Sequence, residues 1–402
     1  MTLSEELQWR GFVNQTTLRQ IEEINSPRTF YLGVDPSADS MQIGNLAAIM
    51  MVRHMVHYGH KAIVLVGGAT GMIGDPKDDQ ERTLKSLEEI TKNKQGIARQ
   101  YQQILNGLEF EMVDNYDWFK NINYLDFLRD VGKHFSMTQL IDRDFVKKRV
   151  GRQAGGLSYA EFSYSLIQGY DFLHLYRTKG VTLQIGGSDQ WGNMLSGIPL
   201  IRKLENAEAH VWTLPLVINK ATGIKFGKSE AGTVWLDEHK TSVYDFYQFW
   251  LNVEDDGVID YLKIYTTLDK QQISSLEQST TQRPAAREAQ KALAYEVTSL
   301  VHGDDKARIA KTVTNVLFGG QHLAELNDEE KHMICNHIPT AKGNQDIIST
   351  LIQTGLVISN NEARRLLQAG AITVEGKKLT SEYVTQANTL IKKGKNSYIA
   401  VF

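Results

Sequence analysis

Between Thr29 and Val66 a strand, a loop, a helix and a second strand follow in direct succession, and no other stretch limits the fold so strongly. TFYLGV has the aromatic and branched residues of a short strand, and DPSADSMQ after it consists of turn and cap formers. GNLAAIMMVRHMVHYG is helical and closed by Gly59, and KAIVLV is a continuous apolar strand. Such a second strand is buried on both faces, so the unit is a parallel βαβ element with a right-handed crossover. Ligands of such sheets bind beyond the carboxyl ends of the strands. That brings the loop after Val34 and the loop GGATGMIGDP after Val66 to one site.

Two further strand patterns, VTLQIGG from Val181 and VWTLPLVI from Val211, deliver GGSDQWGN and NKATGIKFGKSEAG to the same edge. The segment from Glu81 to about Val150 is charged and helix-rich, and Ser242 to about Leu317 is helical. The expected class is α/β. A parallel-sheet domain at 1–230 carries a helical insertion at about 81–150. A helical domain at 231–320, an aperiodic linker at 321–340 and a small α/β domain at 341–402 follow.

The net charge of −3 over 402 residues hides an asymmetry. Residues 341–402 carry eight Lys/Arg and four Asp/Glu, a net of +4, which leaves −7 on the preceding residues. A basic tail on an acidic body fits an anionic partner, RNA first, and fits a solvated surface equally well. No apolar run approaches the roughly 20 residues of a membrane span. The start MTLSEELQWRGF is neither basic nor apolar enough for a signal peptide, and the single cysteine, Cys335, excludes an intrachain disulfide. A cytoplasmic protein is expected.

The loops at the sheet edge are rich in glycine, carboxylate and amide, with Lys225 and Lys228 in the last. Glycine lets a backbone approach a phosphate closely, and lysine supplies mobile positive charge. The stretch from Gly223 to Ser229 is not a P-loop. Only three residues separate Gly223 from Gly227, and EAGTVWLD follows where a helix should begin. GGATGMIG lacks the G-x-G-x-x-G spacing of a dinucleotide site.

KFGKS resembles the lysine loop of class I aminoacyl-tRNA synthetases in the form typical of bacterial tyrosyl enzymes. YLGVDPSADSMQIGN is similar to the region of their HIGH motif. GGATGMIGDP, NYDWF, FLRDVGKHFS, EFSYSLIQGYDF, QIGGSDQWGN and TSVYDFYQFW resemble further blocks in family order, from about residue 28 onward. The resemblance implies a Rossmann-like catalytic domain, a helical domain on the anticodon side and a small ribosomal-protein-like RNA-binding domain. It implies ATP as substrate with Mg2+, no tightly bound cofactor, and L-tyrosine and tRNA(Tyr) as partners. A homodimer with FLRDVGKHFS near the subunit contact is implied as well.

Carried over by residue, Tyr31 and Asp171 are expected to bind the substrate's phenolic hydroxyl. Asp75, Tyr164 and Gln168 are expected around its ammonium, with Asn115 and Gln190 nearby. Asp35, Gly44, Gly187, Asp189 and Gln190 fall to the nucleoside, and Ser37, Lys225 and Lys228 to the phosphates. Arg364, Arg365, Lys377, Lys378, Lys392, Lys393 and Lys395 are expected to meet the RNA backbone, with an affinity that falls steeply with salt.

The chain departs from the family at the two histidines of HIGH, where it has Gln42 and Asn45. Both can hydrogen-bond a phosphate, but neither can become a cation. The neighbourhood of Lys77 is a residue shorter than the family pattern. A working but atypical enzyme is expected. The alternatives are a paralogue that binds RNA with weakened catalysis, or an enzyme for a tyrosine analogue or tryptophan. His54, His57 and His60 suggest a metal only weakly, because Gly59 ends their helix, and FYQFW reads as core packing.

Overall fold

The computed structural model describes residues 1–75, 84–141, 146, 157–219, 223, 226, 228–229, 232–394 and 397–402. Contacts divide the chain into two compact units: Met1–Thr241 with Asn252–Leu293, and Ser242–Leu251 with Ala294–Phe402.

The first unit is built on a six-stranded sheet: β1 (Gln15–Thr16), β2 (Thr29–Val34), β3 (Lys61–Val66), β4 (Phe110–Asp114), β5 (Val181–Gly187) and β6 (His210–Leu214). Their order is β1-β6-β5-β2-β3-β4, parallel except for the edge pair β1–β6. From β2 the chain winds outward through β3 and β4, then returns to place β5 and β6 on the other flank. The order therefore reverses between β2 and β5, which is where an open α/β sheet forms its ligand crevice. β4 lies inside the segment expected to be a helical insertion. Its five residues, FEMVD, are partly exposed at the sheet edge and too few for a clear pattern.

The helices follow from their sequence. α1 spans Leu3–Arg10 and α2 spans Ile43–His57, with Gly59 taking φ +87° just beyond it. α3 (Gly68–Ile73) follows β3. α4 (Leu87–Ile104) is capped by Ser86, whose Oγ accepts from Glu89 N at 3.1 Å. It buries Ile90, Ile97, Tyr101 and Ile104, a stripe at helical spacing. Gly96 lies on the same helix, and a Cβ there would stand 2.0 Å from the carbonyl oxygen of Asp39, so helix and loop pack backbone to side-chain-free backbone. α5 (Tyr159–Lys179) opens on a capping box between Ser158 and Glu161 and ends at Gly180 in the left-handed region. α6 spans Gly197–Glu205. Phe172, Leu173 and Leu175 of α5 join Tyr31, Ile63, Leu65, Val181, Leu200 and Ile201 in one core against the sheet.

His54 is buried beside Glu6 and Phe12, whereas His60 accepts from Arg28 N and packs on Phe30. The hairpin β7 (Lys228–Ser229) and β8 (Gly232–Thr233) completes the strands of this unit.

In the second unit α7 (Val243–Leu251) buries Phe246, Tyr247 and Trp250, with Phe246 edge-on to His302 at 4.8 Å. α8 spans Asp304–Phe318. The stretch expected to be a linker holds α9 (Asp328–Cys335), capped by Asn327, and a short strand, β9 (Thr340–Ala341). Ile334 of α9 is fully buried among Tyr244, Val313, Leu317, Leu323, Tyr398 and Ala400. DEEKHMIC has too few apolar residues to announce a helix, and its cap and one anchor suffice to form it. Cys335 is exposed and unpaired. α10 (Ile347–Gln353) and α11 (Asn360–Gln368) precede β10 (Ile372–Val374), β11 (Lys377–Leu379), β12 (Thr389–Lys393) and β13 (Ser397–Val401), in sheet order β11-β10-β12-β13-β9. One face of this sheet carries Ile372, Val374, Ile391 and Ile399 against Ile347, Leu351, Ala363 and Leu367.

Candidate active site

A cleft of about 470 Å³ opens at the reversal between β2 and β5. Tyr31, Asp35, Ser37, Gln42, Gly44, Asn45, Asp75, Tyr164, Gln168, Asp171, Gly187, Asp189 and Gln190 all line it. Segments far apart in the chain thus place thirteen of the expected residues around one space. Tyr164, Gln168 and Asp171 do so from one face of α5, at spacings of four and three residues. Lys225 and Lys77 lie outside the described residues. Lys228 is placed through its backbone, which pairs with Thr233.

The floor is a buried polar network. Asp171, 2% exposed, accepts from Asn115 Nδ2 at 3.1 Å and from Trp118 Nε1 at 2.9 Å. Asn115 lies behind the cleft wall, where its Oδ1 also accepts from Ala69 N at 2.7 Å. Burial pushes the Asp171 carboxyl well above the usual carboxylate range, against the pull of those two donors. Tyr31, 1% exposed, sits edge-on to Phe172 with its ring centroid at 5.4 Å. Burial, then the nearby Asp171, pushes its phenol up and keeps the proton on the oxygen. The Tyr31 hydroxyl and Gln168 Oε1 are buried and have no hydrogen-bond partner among the described residues. Buried polar atoms are rarely left so, and these two belong to a cleft suited to a ligand with its own hydroxyl and amine.

Two further networks shape the walls. Tyr164 Oη donates to Asp35 Oδ2 at 2.7 Å, and Thr70 Oγ1 donates to Asp35 Oδ1 at 2.7 Å. Asp75 accepts from Gln190 Nε2 and from Asn193 Nδ2, each at 2.9 Å. A Cβ at Gly67 would fall 2.1 Å from Thr70 Oγ1 and 2.4 Å from Asp35 Oδ1, so any larger residue would displace the hydrogen bond between them. A Cβ at Gly44, by contrast, would project into open space within the cleft.

At the mouth, the start of α2 is tied to the chain that leaves the lysine loop. Ile43 N donates to Val234 O at 3.2 Å, Leu236 N to Met41 O at 2.9 Å, and Gln42 bridges Trp235. Lys240 Nζ meets Asp39 at 2.7 Å, which holds the Asp39 carboxyl below its ordinary value. Gln42 N donates to Asn45 Oδ1 at 3.0 Å, so Asn45 holds the first turn of α2.

Sequence reasoning missed Trp118, Thr70, Asn193 and Gln184. Trp118 was inside a quoted block but unassigned. Gln184 had a signal, a lone amide within the apolar strand β5, and it lines the cleft 2% exposed.

The basic residues of the tail separate into two sets. Arg364, Arg365, Lys377 and Lys378 are exposed. Lys393 donates to Leu356 O at 2.5 Å and lies 3.8 Å from Glu362, while Lys392 covers the Tyr398 ring at 5.0 Å. Lys395 lies outside the described residues.

Residues 22–319 match the family model described as tRNA synthetases class I (W and Y), and residues 330–401 match the tyrosine–tRNA ligase SYY-like C-terminal domain. A tyrosine–tRNA ligase of Geobacillus kaustophilus is 45% identical, over 100% of this chain and 99% of its own length. A tyrosine–tRNA ligase 2 of Bacillus cereus is 42% identical, again over 100% and 99%. Among solved structures, a C-terminally truncated mitochondrial tyrosyl-tRNA synthetase of Aspergillus nidulans superposes with a TM-score of 0.71 at 28% identity. That match covers 79% of this chain and 94% of the other.

Proposed function

The chain belongs to the class I tRNA synthetases of the tryptophan and tyrosine kind, and we propose from that premise how its cleft serves as a tyrosine–tRNA ligase. L-tyrosine enters with its ring between β2 and α5. Tyr31 and Asp171 hydrogen-bond its phenolic hydroxyl, and Asp75, Tyr164 and Gln168 receive its ammonium. ATP lies across the carboxyl ends of β2 and β5, with Asp35, Gly44, Gly187, Asp189 and Gln190 around the nucleoside. Ser37, Gln42, Asn45, Lys225 and Lys228 serve the phosphates. The substrate carboxylate attacks the α-phosphorus, the bond to the bridging oxygen breaks, and pyrophosphate leaves. A ribose hydroxyl of the tRNA end then attacks the activated carbonyl, and AMP leaves. Neither step needs a protein nucleophile, so alignment and charge stabilisation carry the rate. Magnesium enters with the ATP phosphates.

The observation that carries the tyrosine reading is the buried Tyr31 hydroxyl, without a partner among the described residues, in the same cleft as Asp171. Phenylalanine would leave such a group unsatisfied, at a cost of about 1–3 kcal/mol. The reading extends to a cytoplasmic homodimer that grips tRNA(Tyr) through exposed cations such as Arg364 and Lys377. Exposed Tyr124, Leu125, Met137, Ile141 and Tyr159, clustered in sequence around FLRDVGKHFS, support a subunit contact there. Among the described residues no helix is long and apolar enough to cross a membrane. Tyrosine-dependent exchange of pyrophosphate into ATP, with phenylalanine and tryptophan as controls, tests the proposal. Exchange with tyrosine alone is expected; no exchange with intact tRNA binding would favour the RNA-binding paralogue.

A further inference from the structure

Gly96 is not the only residue of α4 fitted to the loop between β2 and α2. The buried stripe of this helix, otherwise made of Ile90, Ile97, Tyr101 and Ile104, also holds two amides, Asn93 at 4% exposure and Gln100 at 9%. An amide in such a stripe destabilises the fold unless its hydrogen bonds are made. Both make theirs to the loop. Asn93 Nδ2 donates to Pro36 O at 2.9 Å, Gln100 Oε1 accepts from Met41 N at 2.8 Å, and Gln100 Nε2 donates to Ser40 Oγ at 2.8 Å. Asn93, Gly96 and Gln100 stand at spacings of three and four, so one helix face meets Pro36, Asp39 and Met41 in turn.

Between Asp35 and Met41 the chain forms neither helix nor strand. Ser37 within this stretch and Gln42 just after it both line the cleft. Irregular backbone keeps a single shape only where partners outside it take its polar groups, and α4 supplies them near both ends of the loop. A loop that had to be ordered when the nucleotide arrived would lose that ordering cost from binding. Asn93 and Gln100 are not themselves part of the cleft lining, so their effect on a ligand passes through the backbone they hold.

We propose that Asn93 and Gln100 are positioning residues for the activation step, holding the loop from Pro36 to Met41 in the shape that presents Ser37 and Gln42 to the phosphates of ATP. The inference rests on the ATP-activation reading of the cleft. α4 thereby acts as a template: the loop is ordered before the nucleotide enters, and its contacts need no rearrangement as charge moves onto the leaving group.

The test sets wild type beside Gln100→Met, which keeps the side chain's length and removes its hydrogen bonds, and Asn93→Ala, which removes the bond to Pro36. Each is assayed well below its own unfolding temperature. Gln100→Met should lower kcat/KM for ATP in tyrosine-dependent exchange about tenfold and Asn93→Ala about fivefold, with KM for tyrosine unchanged. Should Gln100→Met fail to fold, Asn93→Ala gives the same comparison. Each change is then repeated in a Ser37→Ala, Gln42→Ala background. With the positioned side chains gone, it should cost less than about twofold. An equal loss in both backgrounds or a parallel rise in KM for tyrosine would show a structural role and overturn the proposal, as would rates equal to wild type. Calorimetric binding of ATP separates this inference from the reading beneath it. Wild type that binds ATP about tenfold tighter than Gln100→Met yet catalyses no exchange would sustain the template while removing the activation reading. Equal ATP affinities would overturn the proposal whether or not the enzyme is active.

Discussion

Tyr31 faces the cleft from a parallel strand, 1% exposed, and its hydroxyl has no partner among the described residues. Tyr31→Phe deletes that group with little change of shape. The expected result is a fall of about tenfold in kcat/KM for tyrosine and little change for phenylalanine; an unchanged ratio between the two amino acids would remove Tyr31 from substrate recognition. Gln42 poses the opposite question. Gln42→His introduces a side chain that can carry charge at the proposed phosphate site, and the activation rate should rise. If it stays at the wild-type value, Gln42 does not limit the reaction. At this scale the sequence was informative where residues sit in long motifs, as Tyr31, Asp75 and Asp171 do. It was silent on Trp118, whose role depends on reaching Asp171 across 53 positions, a contact that no local pattern encodes.

Among the elements, β2, β3 and α2 were legible because each combines a strong pattern with end signals. β4 and α9 were not. β4 is a short edge strand, and α9 relies on its Asn327 cap and a single buried anchor, Ile334. Nor could the pairing of Gln42 with Trp235 be foreseen, since it joins two irregular segments through backbone alone. α4 offers a test at this scale. A methyl at Gly96 would press on the Asp39 carbonyl, and backbone cannot yield as a side-chain tip does. Gly96→Ala should cost about 1–3 kcal/mol despite alanine's better helix propensity. Denaturant unfolding checks this; a stabilised variant would mean that the loop bearing Asp39 adapts.

For the molecule as a whole, buried histidines set a limit on the acid side. Burial lowers His54 to about 3 and His60 to about 4, from an ordinary 6.5. The unfolded chain therefore takes up protons below about pH 6.5 that the folded chain refuses, and stability present above that pH is lost as it falls toward 4. Asp171, whose carboxyl is raised, acts in the opposite sense, favouring the fold at low pH. A His54→Gln, His60→Gln double variant isolates the histidine part. Between pH 7 and 5 wild type should lose about 3–4 kcal/mol more than the variant in urea unfolding. Equal losses would show that neither histidine remains neutral in the folded state.

The polar groups that line and back the cleft have one further consequence. Tyr31, Asp75, Asn115, Asp171 and Gln190 come from five separate stretches of chain, brought together only when the sheet has closed in its final order. On the proposed reading, substrate recognition is thereby also a proofreading of assembly: a molecule with one crossover misplaced has no complete cleft to hold the amino acid. In the proposed binding mode the ligand acts as a removable rivet between the stretches that line the cleft, so that occupancy and integrity of the domain rise and fall together.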